Sequence, residues 1–147
     1  MINMGKRLPR GLRNNNPGNI RLSNVTYQGE VTPSKDKAFK QFTTMAYGYR
    51  AIFVLLHTYQ RRYGLDNISS MISRYAPATE NHTAKYIDAV AKWSGVSPTG
   101  HITTTNGDVM IPIVAAMSRV ENGVEADMAD VQAGWELFIN DYRAHNI

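Results

Sequence analysis

The sequence contains no cysteine. Disulfides, thiolate zinc sites, iron–sulfur clusters and a thiol nucleophile are excluded together, and the compartment stays open because a Cys-free chain tolerates any redox environment. No apolar run approaches the roughly 18 residues that a membrane span requires. The basic start through Lys6 and Arg7 has no apolar stretch behind it, so no signal peptide is visible. The four histidines, His57, His82, His101 and His145, form neither an i, i+4 pair nor an H-E-x-x-H motif, which removes the usual zinc pattern. Missing too are G-x-S-x-G and a Gly-rich phosphate loop ending in Lys-Ser/Thr, so Ser-nucleophile and nucleotide-driven chemistry have no support. No metal and no cofactor is expected.

What is present suits one domain, residues 1–147. Hydrophobic residues make up 43% of the 147 and charged ones 19%, enough apolar material for a core and too little charge for a disordered chain. The net charge of +4 conceals a polarity: residues 1–100 carry 14 Lys/Arg against 5 Asp/Glu, and residues 101–147 carry 2 against 7. The N-terminal arm, residues 1–12, holds Lys6, Arg7 and Arg10 with no acid. Such a surface attracts a polyanion, whether nucleic acid, anionic envelope or acidic glycan, or is merely a solvated basic face.

The hydrophobic pattern reads as mainly α with a small β element (α+β). Asn16-Pro17-Gly18-Asn19 marks a sharp turn, and short β-like pieces between residues 20 and 42 suit a small hairpin. About five helices follow. Tyr49, Ile52, Phe53, Leu56, Tyr59 and Tyr63 recur at helical steps before Gly64, and Asn67 can cap a second helix that Pro77 ends. A third helix starts near Thr79 or Asn81 and runs through Tyr86 and Val90 to Trp93 and Gly95. Asp108 can cap a fourth, stopped by Asn122-Gly123, and the last runs from Asp127 to about Ala144.

Carboxylates are the remaining chemical groups. Glu121 ends a nearly all-apolar segment, Ile111 to Val120, immediately before a helix stop. Helix-dipole repulsion and desolvation would both raise its pKa, as a general acid requires, although an exposed helix-end Glu is the commoner case. Glu30, in the β-like region, could be a second catalytic carboxylate or a solvated turn residue. Four Asn among residues 14–19 exceed what a turn needs, and their amides suit sugar hydroxyls and N-acetyl groups.

The string Arg10-Gly11-Leu12-Arg13-Asn14-Asn15-Asn16-Pro17-Gly18-Asn19-Ile20-Arg21 resembles the opening motif of a phage and prophage family named after the lytic virion protein of cystoviruses. Phe39-Lys40-Gln41-Phe42 with Gly48-Tyr49-Arg50-Ala51, then Tyr75-Ala76-Pro77 with Glu80-Asn81-His82-Thr83 and Tyr86-Ile87, and finally Glu121-Asn122-Gly123 fit the same pattern. Tyr27 departs from it, standing where Trp would precede Gln28-Gly29. The resemblance implies a lysozyme-like, lytic-transglycosylase-like domain that cleaves the glycan strand of peptidoglycan between N-acetylmuramic acid and N-acetylglucosamine. It also implies a circular permutation, because the Asn81–Tyr86 signature precedes the acid helix here.

On that resemblance Glu121 is the expected acid and Glu30 the alternative. Tyr86, Asn15, Asn16, Asn19, Asn81, Tyr27 and Asn122 are expected to contact substrate. Bacterial peptidoglycan is the expected partner, with other virion or lysis-cassette proteins, and neither a membrane span nor nucleic acid is. The protein would be virion-associated or phage-encoded, acting in the periplasm or cell wall. A non-catalytic virion or glycan-binding protein of the same fold is the alternative.

Overall fold

The computed structural model describes residues 8–78 and 82–147 and contains six helices. They are α1 (Arg10–Arg13), α2 (Met45–Tyr63), α3 (Ile68–Tyr75), α4 (Thr83–Ser94), α5 (Gly107–Asn122) and α6 (Met128–His145). Local chemistry sets most ends. Thr44 and Asn67 cap α2 and α3 by accepting the backbone N–H of Tyr47 and Ser70, and Asp127 caps α6 at Ala129. Gly64, Gly95 and Gly123 close α2, α4 and α5 in the left-handed conformation.

Three sequence expectations need correction. Asn106, not Asp108, caps α5: its side chain accepts from the Asp108 N–H, leaving Asp108 in the first turn where the dipole favours an acid. The N-terminal segment, read as arm and turn, contains the short helix α1. The expected hairpin at 20–42 is reduced to two isolated antiparallel bridges, Arg21 with Phe39 and Glu30 with Phe42, and no strand forms among the described residues.

Side chains hold that loop instead. Asn16, fully buried, donates to the carbonyls of Ile20 and Lys40 and accepts from the Ile20 N–H. Asp36 accepts from Arg10, Asn14 and the N–H groups of Ala38 and Phe39, tying α1 to the loop. These bonds, the one to Arg10 foremost, hold the Asp36 carboxyl well below the usual carboxylate range. Arg10 is thus committed to the fold, and Arg13 donates to the Leu8 carbonyl, so neither is simply a free capture charge. Lys6 and Arg7 lie outside the described residues.

The core sits between α2, α5 and α6. Phe53 meets Trp135 edge-on at 5.1 Å and stacks on Phe138 at 6.2 Å, while Arg50 reaches Asp141 at 2.8 Å. Met110, Val114 and Met117 of α5 are fully buried, as its apolar run predicts. Tyr63 and Trp93, read as members of apolar faces, instead stand 51% and 41% exposed. Helix α4 lies against α5, which brings Tyr86 to the C-terminal end of that buried helix. No helix among the described residues is long and apolar enough to cross a membrane.

Candidate functional site

Glu121 occupies the last turn of α5, one residue before Asn122 ends the helix. Both carboxylate oxygens have neutral donors: Asn19 Nδ2 lies 3.0 Å from Oε1, and the Tyr86 hydroxyl lies 2.8 Å from Oε2. Burial raises the Glu121 pKa above the ordinary carboxylate value, and the two donors oppose that rise without cancelling it. The helix C-terminus adds its own bias against the charge. Tyr86 and Tyr75 are pushed well above the usual phenol range, first by burial and then by the nearby Glu121 charge, so both stay protonated donors. Tyr75 donates to the Gly18 carbonyl and holds the Asn turn against α3.

The asparagines divide into one that touches Glu121 and several that build the support. Asn19 has a left-handed φ of 48°, which aims its amide at Glu121. Asn15, at φ 51°, donates to the carbonyls of Phe42 and Thr43. Asn122 donates to the carbonyls of Pro17 and Ser118, pinning the turn to the end of α5. The fully buried Asn16 braces the loop as described, so the turn is largely wall rather than lining.

Gly11 is the keystone of this support. A Cβ there would lie 2.5 Å from Asn122 Oδ1 and 2.9 Å from Asn19 Oδ1, both buried oxygens with no hydrogen-bond partner. Overpacking of this kind costs about 1–3 kcal/mol. Gly11→Ala is therefore expected to lower the melting temperature and to displace the Asn19 amide. Unchanged melting would show that the turn yields freely.

Two clefts meet at Glu121. One, of ≈ 360 Å³, is lined by Asn19, Arg21, Phe39, Tyr59, Arg74 and Tyr75, among others. The second, of ≈ 470 Å³, has Lys85, Tyr86, Trp93 and Arg119 in its wall, the Arg119 guanidinium lying 4.1 Å from the Trp93 ring centroid. Glu121 is the only Asp or Glu among the described residues lining either cleft.

The structure places Glu30 elsewhere. Its carboxylate accepts from Lys40 Nζ at 3.1 Å on both oxygens and from the Tyr27 N–H at 3.0 Å, with its side chain 5% exposed. It lines neither cleft at Glu121. Asn81 lies outside the described residues. Tyr27 lines a third cleft, reached from the first through Leu55, Tyr59 and Arg74. Sequence reasoning missed Arg74, Trp93, Lys85 and Arg119 as cleft residues. The basic surplus of residues 1–100 covered Arg74 and Lys85, but no sequence signal pointed to Trp93 or Arg119 as cleft residues.

No protein-family model matches the sequence. Protein P5 of Pseudoalteromonas phage PM2 is 38% identical over 117 residues, spanning 78% of this chain and 71% of the phage protein. The chain belongs to the P5 family. A phage protein family, which the opening motif led one to expect, is thereby shown. Within this P5-family protein, the meeting of Asn19 with Glu121 joins residues 102 positions apart.

Proposed function

We propose that this P5-family protein is a peptidoglycan-lytic glycosidase, with a circularly permuted lysozyme-like domain and Glu121 as its general acid. The observation that carries the reading is a single carboxylate, raised in pKa by burial, where two clefts meet. A glycan strand lying through both clefts would pass its glycosidic oxygen over Glu121. Protonation of that oxygen releases the leaving sugar, and the charge developing on the remaining sugar is met by the newly formed carboxylate. Hydrolysis usually employs a second carboxylate, as nucleophile or to activate water. With none among the described lining residues, the sugar's own hydroxyl is the better nucleophile. Glu121 then takes back that hydroxyl's proton as the hydroxyl oxygen bonds to the anomeric carbon, closing the anhydro ring in place of the broken glycosidic bond. This favours a lytic transglycosylase over a muramidase.

Mass spectrometry of sugar ends after digestion of purified sacculi tests the proposal. Anhydro-muramic ends are expected, reducing muramic ends would make it a muramidase, and intact sacculi would remove the glycosidase reading. One observation favours a second reading, a non-catalytic glycan-binding virion protein: both Glu121 oxygens are already held by fixed donors. A zymogram on cell wall separates the two. Under either reading the partners are peptidoglycan and other virion proteins, met at the host envelope.

Tyr86→Phe supplies a pH test. The phenol donates to the carboxylate and so favours its ionised form. Its removal raises the Glu121 pKa further, and a general acid stays protonated to higher pH. The basic limb of the kcat/KM profile should therefore move to higher pH. A limb that stays in place or moves towards acid would show that Tyr86 does not act on the Glu121 proton.

A further inference from the structure

The cleft beside Glu121 continues past Tyr59. Leu55, Tyr59 and Arg74 line both it and a further cleft of ≈ 500 Å³ that has Tyr27, Arg50, Arg62 and Tyr63 in its wall. Three arginines thus line a space whose wall contains no Asp or Glu side chain, with the last residue, Ile147, also in that wall. Neither Arg62 nor Arg74 is in an ion pair among the described residues. Arg74 lies 3.8 Å from the Tyr63 ring centroid and 5.4 Å from that of Tyr59. A guanidinium stacked this way keeps its in-plane N–H groups available to an acceptor. Arg50 is 7% exposed; its Nη2 meets Asp141 at 2.8 Å, but its Nε is buried without a partner.

The guanidiniums of this wall suit an anion, while Thr26, Gln28 and Thr58 of the same lining can meet the neutral hydroxyls of a sugar that carries it. Sugar hydroxyls need acceptors as well as donors, whereas guanidiniums only donate. A carboxylate answers their fork geometry with two parallel hydrogen bonds. We infer that this third cleft is a subsite for the free carboxylates of the peptide stems carried by the glycan strand. The inference rests on the glycosidase reading for its substrate and adds what would distinguish peptidoglycan from an uncharged glycan. In a strand bearing stems the lactyl carboxyl is tied up as an amide, so the free carboxylates belong to the peptides.

The test uses the full chain carrying Glu121→Gln, so that bound glycan is not cut. Affinity is measured for glycan oligomers with peptide stems and for the same oligomers with every carboxyl converted to an amide. The carboxylate strand is expected to bind about tenfold tighter at low salt, a gap that narrows as salt screens the charges. Adding Arg62→Gln and Arg74→Gln should bring it to the level of the amidated strand, which serves as the control for folding. Equal affinity for the two strands before those substitutions, or equal loss for both after them, would overturn the subsite. The glycosidase reading fails separately: a wild-type protein that leaves sacculi uncut while preferring the carboxylate strand keeps the subsite and loses the catalysis.

Discussion

Glu121→Gln is expected to lower lysis of purified sacculi by about 100- to 10,000-fold, the usual worth of general acid catalysis, with the fold intact. Glutamine matches the side chain in size. Its carbonyl oxygen can still accept from Asn19, and its amide can donate to the Tyr86 oxygen, so both contacts survive while the transferable proton does not. Stability supplies a second readout with a definite sign. The folded pKa of Glu121 lies above its unfolded value because of burial. Below the ordinary carboxylate range both states are protonated and the group has no effect. As pH rises through that range the unfolded chain ionises first, so the folded state loses stability until its own carboxyl ionises, and the deficit then persists. The Gln variant should therefore melt above the wild type at neutral pH and level with it in acid. Near-wild-type lysis by Glu121→Gln would remove the acid from its assigned place.

The helices were legible because their ends are written in local chemistry. Gly64, Asn67, Gly95, Gly123 and Asp127 each act on a backbone group within a few residues, and the apolar run of α5 marks that helix as buried. Even the misplaced cap of α5 was an error of two residues, since Asn106 and Asp108 can both accept an N–H and only the backbone decides. Tyr63 and Trp93 show the limit of periodicity. A residue can keep helical register with a buried face and still stand half-exposed, as both do, Tyr63 under the Arg74 guanidinium and Trp93 under that of Arg119.

The loop at 20–42 was illegible for a different reason. Its order comes from Asn16, Asp36 and Lys40, whose partners lie elsewhere in the loop or in α1, and no alternation of apolar and polar residues encodes such bonds. The candidate site was half legible. Burial and dipole pointed to Glu121, but only the motif resemblance suggested that the Asn turn belonged beside it. Arg62 and Arg74, in helices α2 and α3, entered the sequence reading only as part of the basic surplus of residues 1–100. The third cleft arises only when those helices and the loop carrying Tyr27 come together.

That loop makes Lys40→Met the largest stability change to expect. Lys40 has no exposed side-chain surface; its ammonium meets Glu30 at 3.1 Å and the Val25 carbonyl at 2.7 Å, and it lies 5.6 Å from the Tyr27 ring centroid. Removing one partner of a buried pair leaves the other charge uncompensated, a loss of about 3–5 kcal/mol. Against a total stability of roughly 5–15 kcal/mol this should lower the melting temperature by on the order of 10 °C. Replacing both partners, Lys40→Met with Glu30→Met, should recover part of that loss, because apolar groups of similar volume need no counter-charge. The same double variant decides what Glu30 does. If its only task is to hold Lys40, the refolded double variant lyses sacculi almost as well as the wild type. If it folds and is as inactive as Glu121→Gln, Glu30 has a chemical role. Should Lys40→Met alone melt level with the wild type, the buried pair is not what holds the loop against the helices.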